Sequence, residues 1–241
     1  MSSIMARYAN TILNREFPID LSTNNYGQIG EQLERRLGLE INNRAEADIP
    51  DEGELKVKMA GSSARTTLMH CDPDGRSIVR ALVTKYGQEN EDGEKRLSIT
   101  MVGDKPNNLG FSLRYTDEMV ILCHNGEPVV LEVKDQQVIV GWTAERIRNR
   151  AAKKLHIGAY SVEWTPNEKR TAAMFTAIHR YDNFKGTSEF VEVIRQGGIV
   201  IEMTAYFKPV DEKGKRKFRN RGVKFRMHEI GDLFEQHSTL H

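Results

Sequence analysis

The chain has 241 residues, 39% of them hydrophobic and 29% charged, with a formal net charge of +1. That length suffices for one large domain or for two lobes of one unit, and the near-neutral balance excludes a protein-wide field for a polyanion, so any basic surface must be local. The only cysteines, Cys71 and Cys123, lie outside any zinc-type spacing, no run approaches the roughly 18 apolar residues of a spanning helix, and the start lacks a signal-peptide core, which together predict a cytoplasmic protein with reduced thiols.

Ile29, Leu33 and Leu37 recur every four residues with Gly38 just beyond, which predicts an amphipathic helix over about 26–37 carrying Glu34 beside its apolar stripe. An acidic turn, Ala47-Asp48-Ile49-Pro50-Asp51-Glu52-Gly53, then runs into an alternating strand. There Leu55, Val57 and Met59 share one face while Glu54, Lys56 and Lys58 share the other, so carboxylate and ammonium are neighbours. Mg²⁺ takes oxygen ligands and is commonly held by one or two carboxylates plus substrate phosphate. Asp48 or Asp51 with Glu54, and the Leu55 carbonyl, supply such a set, and Lys56 beside it would stabilise the hydroxide that attacks phosphorus. The same alternation also suits an edge strand whose charges merely face water.

A short strand at 66–70 ends in the turn Asp72-Pro73-Asp74-Gly75. A helix over about 76–86, an exposed loop at 87–93 and a strand around 96–102 follow. Three apolar runs between 119 and 142, the first two divided around Asn125-Gly126, predict a meander with a tight hairpin turn. Thr143 suits the cap of a basic helix reaching about Leu155. Beyond it the pattern predicts a strand at 157–163, helices over 168–179 and 187–196, a strand at 198–207 and a last helix over 228–236. The whole is an α/β or α+β chain, a mixed sheet flanked by helices.

Lys213, Lys215, Arg216, Lys217, Arg219, Arg221, Lys224 and Arg226 follow one another with no acid among them. Arginine can contact guanine O6 and N7 with two bonds, and both cations pair with phosphates, so a loop of this kind suits a DNA groove as well as plain solvent. Glu202, alone in an apolar strand, faces solvent or reaches an exocyclic amine of cytosine. His70, ending a strand, is a hydrogen-bonded structural residue or a DNA contact.

The stretches Gly30 to Leu39, Glu54-Leu55-Lys56, Thr67-Leu68-Met69-His70, Lys85-Tyr86-Gly87, Asn107-Asn108-Leu109-Gly110 and Arg221 to Arg226 occur in this order over about 26–235. In them the sequence resembles the MvaI/BcnI family of type II restriction endonucleases, relatives of the mismatch-repair nickase MutH. The resemblance implies a PD-(D/E)xK restriction-endonuclease-like core in two lobes with DNA between them, Mg²⁺ dependence, and cleavage of double-stranded DNA at a short site. On that pattern the catalytic lobe falls at about 20–125 and the recognition lobe at about 126–241. Glu34 corresponds to the helix glutamate, Glu54 to the metal-binding acid and Lys56 to the catalytic lysine. The first aspartate is Asp48, six residues before Glu54, in preference to Asp51, whose three-residue separation leaves little room for a turn. The DNA contacts expected are His70, Glu202, Arg219, Arg221, Lys224 and Arg226. The chain departs from the family where Glu202 replaces an aspartate and Thr204 stands where an arginine can occur. A monomer is expected, with a DNA methyltransferase protecting the same site. A strand-nicking enzyme and a non-catalytic DNA-binding module are the alternatives.

Overall fold

The structure is a computed structural model and describes residues 3–19, 27–39, 46–75 and 77–240. In chain order it begins with α1 (Ser3–Thr11), β1 (Glu16–Pro18), α2 (Gly27–Arg36), β2 (Glu54–Met59), β3 (Thr66–His70), α3 (Ile78–Tyr86) and β4 (Gln88–Glu89). The middle supplies β5 (Lys95–Met101), β6 (Phe111–Tyr115), β7 (Met119–His124), β8 (Glu127–Pro128), β9 (Val130–Val133), β10 (Gln136–Ile139), β11 (Gly141–Thr143) and α4 (Ala144–Leu155). Then come β12 (Ala159–Pro166), β13 (Ala172–Phe184), α5 (Thr187–Arg195), β14 (Val200–Phe207), β15 (Phe218–Met227), a 3-10 turn at Ile230–Leu233 and β16 (Phe234–Leu240). Residues 26 and 76, the expected first residues of two helices, lie outside the described residues, as does the expected lobe start near residue 20. Among the described residues no helix is long and apolar enough to cross a membrane.

Two compact units interleave along the chain. Unit 1 is Met1–Thr66, Ala151–Gly186 and His228–His241, and unit 2 is Thr67–Arg150 and Thr187–Met227. The expected single cut near residue 125 therefore does not describe the partition. The reason is pairing: β12 runs parallel to β2, with Ala159 opposite Glu54 and Trp164 opposite Met59, and a parallel partner can only be reached through a long crossover.

In unit 1 the sheet order is β1-β13-β12-β2, and β16 also pairs with β13. The 13-residue β13 takes β12 along one side, and along the other it takes β1 at Ala172–Met174 and β16 at Ile178–Phe184. One face of this sheet, with Leu55, Tyr160, Val162, Trp164 and Phe175, packs into a core with Ile4, Tyr8 and Ile12 from the α1 segment and Ile29, Leu33 and Leu37 from the α2 segment. Each such aliphatic side chain contributes about 1.5–3 kcal/mol when fully buried. Gly38 ends α2 as expected: at φ +72 its N–H reaches Arg35 O at 3.1 Å while Leu39 N–H reaches Glu34 O at 2.8 Å. This paired closure holds Glu34 in the last turn of the helix.

Two expected helices are instead turns that lead into strands. Residues 168–179 carry good helix formers, yet Asn167 Oδ1 accepts from Thr171 N at 2.9 Å and Ala172 N at 3.2 Å, and Arg170 is left-handed at φ +55. That tight turn folds β13 back on β12, and the cross-strand ladder outweighs local propensity. Residues 228–236 form only the short 3-10 turn before β16 pairs with β13. The segment α1–β1 was not anticipated, although Ile4, Tyr8 and Ile12 hold a four-residue spacing and are all buried.

In unit 2 one sheet runs β3-β15-β14-β5-β4 and a second β11-β7-β6, with β8 on β7. Asn125 and Gly126, at φ +52 and +85, make the expected two-residue turn between β7 and β8. The basic run is not a loop from 218 onward but the strand β15, antiparallel to β14. Leu97, Ile99, Met101, Ile201, Met203, Val223 and Phe225 are buried, which assigns the alternate positions to the other face.

Candidate active site

The site grows from the turn that precedes β2. Ile49 and Gly53 bridge back on each other, with Gly53 N donating to Ile49 O at 3.0 Å, and Asp51 lies exposed at the left-handed tip with φ +61. Gly53 has φ +124, and a Cβ there would meet Gly158 O at 2.3 Å. Only glycine allows the turn to pass this close to the start of β12, where Glu54 N donates to Gly158 O at 3.1 Å. The turn is held from outside by Tyr160 Oη, which donates to Glu52 Oε2 at 2.8 Å, and by Arg180, whose guanidinium donates to Glu52 O.

This frame brings Asp48, Glu54 and Lys56 together. Glu54 is only 1% exposed. Its Oε1 accepts from Lys56 Nζ, and its Oε2 accepts from Lys154 Nζ at 3.0 Å. Lys154 Nζ also lies 3.4 Å from Asp48 Oδ1, while Asp48 Oδ2 accepts from Leu55 N at 3.2 Å. Burial pushes the Glu54 carboxyl above its ordinary range; Lys56 pulls it back, Asp48 pushes it up again, and Lys154 lowers it. Burial likewise raises Glu34, reinforced by the charge of Asp48, which ties the α2 glutamate electrostatically to this group.

Lys154 was missed by the sequence reading. It sits in a basic helix with no motif to mark it, and only the parallel pairing of β12 with β2 carries the last turn of α4 to Asp48 and Glu54. Its neighbour Lys153 reaches Glu46 at 3.6 Å, so consecutive lysines grip both ends of the segment Glu46 to Asp48.

These raised carboxyls have a consequence for stability. The unfolded chain releases the Glu34 proton near the ordinary glutamate value and the folded chain only above it, so the folded state holds more protons between the two. The stability contributed is fully present below the ordinary value and is lost as pH rises through the raised one. Glu34→Gln should therefore melt higher than the parent at neutral pH in chelator, and lose that advantage towards pH 4.5, the ordinary value. Thermal melts across this range check it, and identical pH profiles for the two proteins would remove the argument.

Among the described residues no group of three or more His, Cys, Asp or Glu side chains is arranged to hold a metal ion. The donors brought together are the carboxylates of Asp48 and Glu54, hard oxygens, and a positive charge, the Lys154 ammonium, already lies within reach of both acids. That chemistry fits a small divalent cation such as Mg²⁺.

The six expected nucleic-acid contacts all fall in unit 2, most of them on one sheet face. Glu202 and Lys224 are cross-strand partners, Arg219 pairs with Tyr206, and Arg226 Nη1 donates to Glu202 Oε2 at 2.7 Å. Thr204 and Ser98 share the face, their hydroxyls 3.0 Å apart. Between Met203 and Ala205 the register slips, so that Arg221 and Gly222 together oppose one position of β14. Gly222, at φ +78, sits against the His70 ring, where a Cβ would meet Cδ2 at 2.8 Å. Arg221 is exposed and its guanidinium lies 3.4 Å from Tyr206 Oη. Asn107 has a structural part, its Oδ1 accepting from Leu109 N and Phe111 N at 2.9 and 3.0 Å.

The sequence model of the MvaI/BcnI restriction endonuclease family matches residues 9–231. Among solved structures, the chain is similar to restriction endonuclease MvaI in complex with its cognate DNA substrate, with a TM-score of 0.72 and 18% identity over 99% of each chain. MvaI in the absence of DNA matches with a TM-score of 0.52 and 17% identity over 100% of this chain and 99% of that one. The fold is thus that of a restriction endonuclease. No curated protein matches the chain.

Proposed function

Because the chain belongs to the MvaI/BcnI restriction endonuclease family, and is a type II site-specific endonuclease, we propose that the group at the start of β2 is its hydrolytic centre, acting on double-stranded DNA with Mg²⁺. The observation that supports this reading most is the meeting of Asp48, Glu54 and Lys56 at one strand edge with Glu34 coupled to them.

Asp48, Glu54 and the Leu55 carbonyl would hold the cation. When bound, Mg²⁺ supplies charge neutralisation at the scissile phosphate and makes water a better nucleophile near neutral pH. Lys56 keeps its ammonium beside the Glu54 carboxylate, where it stabilises negative charge growing on the attacking oxygen. Glu34, whose carboxyl holds its proton more readily than an ordinary glutamate, adjusts the charge of the centre. On the other unit, Arg219, Arg221 and Lys224 hold phosphates, and Arg226 with Glu202 reads base edges, His70 supporting the bend at Gly222. A monomer working in the cytoplasm beside a methyltransferase of matching specificity completes the proposal.

Incubation of supercoiled plasmid of known sequence with protein and Mg²⁺, followed by sequencing of the ends, tests it. The expected product is linear DNA whose ends share one short sequence, with no product in chelator. Circles that stay nicked would replace double-strand cleavage by nicking, and intact DNA bound with a steep salt dependence would remove the hydrolytic role.

A further inference from the structure

We propose that Lys154 is a built-in counter-ion that occupies the cation position between Asp48 and Glu54, and that a divalent ion enters the centre only by displacing it. The proposal rests on the reading of this group as the metal-holding centre and adds how the centre is loaded.

The argument starts from Glu54. A carboxylate with 1% exposure must be compensated, since an unpaired buried charge is strongly unfavourable. Each of its oxygens is taken by a different ammonium: Oε1 by Lys56 and Oε2 by Lys154. The two lysines are not equivalent. Lys56 stands two residues away on the same strand and, among the described acids, pairs with Glu54 alone, whereas Lys154 comes from α4 and touches both Asp48 and Glu54, at 3.4 and 3.0 Å. A cation within reach of two hard carboxylates stands where a shared divalent ion would have to stand. An ammonium and a divalent ion claiming the same two carboxylates repel each other, the more strongly because Glu54 is 1% exposed.

Which lysine yields follows from their tethers. Lys56 is fixed by the ladder of β2 with β12, where it lies opposite Ser161, a buried residue. Lys154 lies instead in the last turn of α4, outside the ladder that fixes Lys56; both heads are near the surface, at 15% and 18% exposure, so what differs is the tether, and the helix end is the one free to carry its stem into solvent. Without metal the ammonium keeps Asp48 and Glu54 from repelling each other and holds the turn against β2. With metal it is redundant. Lys154 is accordingly a positioning residue of the centre, and its charge sets a threshold on cation affinity.

The test measures Ca²⁺ binding to the whole protein by titration calorimetry, without DNA, in the parent and in Lys154→Met, Lys154→Gln, Lys154→Arg and Glu54→Gln. Lys154→Met keeps the stem and removes the charge, and it should bind Ca²⁺ about tenfold more tightly, with Lys154→Gln shifted the same way and Lys154→Arg no tighter than the parent. The added metal should also raise the melting temperature of Lys154→Met more than that of the parent. If Lys154→Met fails to fold, Lys154→Gln carries the comparison. Equal Ca²⁺ affinity in the parent and the neutral variants, with Glu54→Gln unable to bind, overturns the counter-ion role and leaves the centre intact. Undiminished Ca²⁺ binding by Glu54→Gln instead overturns the reading of the centre, and this inference with it.

Discussion

Lys56→Ala should lower the rate of DNA cleavage by at least about 10²–10³-fold, the usual cost of removing one preorganised charge from a transition state, while affinity for the same duplex in Ca²⁺ changes little. The expectation follows from where the lysine stands. Its ammonium is one of two that compensate Glu54, and the substitution leaves Lys154 and Asp48 in place, so the fold of the turn survives. Glu54→Gln should cost at least as much, because a neutral amide cannot replace a carboxylate toward a divalent ion. Because it also leaves the Lys56 and Lys154 ammoniums without their shared carboxylate, a melting curve of the variant accompanies the kinetics. Single-turnover cleavage under saturating enzyme separates the chemical step from binding. Cleavage at the parental rate by either variant would show that the hydrolytic groups lie elsewhere.

The second large effect is expected at the polar face of unit 2. Arg226 donates to Glu202 at 2.7 Å, and both side chains are largely covered, at 27% and 23% exposure. If Arg226 reads a base edge, Arg226→Ala loses about 1–3 kcal/mol of discrimination at one position. It also strands the Glu202 carboxylate on a surface that must approach phosphates, so affinity should fall for all sequences as well. Glu202→Ala should behave differently: the cation remains, total affinity is kept or rises, and selectivity drops. The double variant should recover part of the affinity lost in Arg226→Ala, because the stranded carboxylate is gone. Binding to the cognate duplex and to single-base variants at fixed salt distinguishes these outcomes. Unaltered affinity and selectivity in Arg226→Ala would clear this pair of a recognition role.

Much of the local structure was legible. The four-residue spacing of Ile29, Leu33 and Leu37 with Gly38 behind it describes α2 and its closure, and the alternation from Glu54 to Met59 coincides with β2. Asn125-Gly126 makes its turn because those residues tolerate positive φ at little cost. The misreadings share one cause. At 168–179 and 228–236, residues with fair helix propensity form a short turn that leads into a strand, because β13 lies between partners on both sides and each pairing satisfies a row of backbone groups. Propensity is worth tenths of a kcal/mol per residue and yields to such pairing.

What the sequence determined by itself was chemistry within reach of a few residues: a glutamate beside a lysine on one strand face, an acidic turn before it, a helix carrying Glu34, and a concentration of arginine and lysine near the C-terminus. Tertiary structure decided everything that depends on residues far apart along the chain. It brought Lys154 to Glu54 across 100 positions and laid the basic run along β14 so that Arg226 meets Glu202. The reason is physical: local spacing governs which way a side chain points on its own element, whereas the pairing of strands, and so the neighbours a side chain acquires, is set by packing and hydrogen bonding among all elements at once.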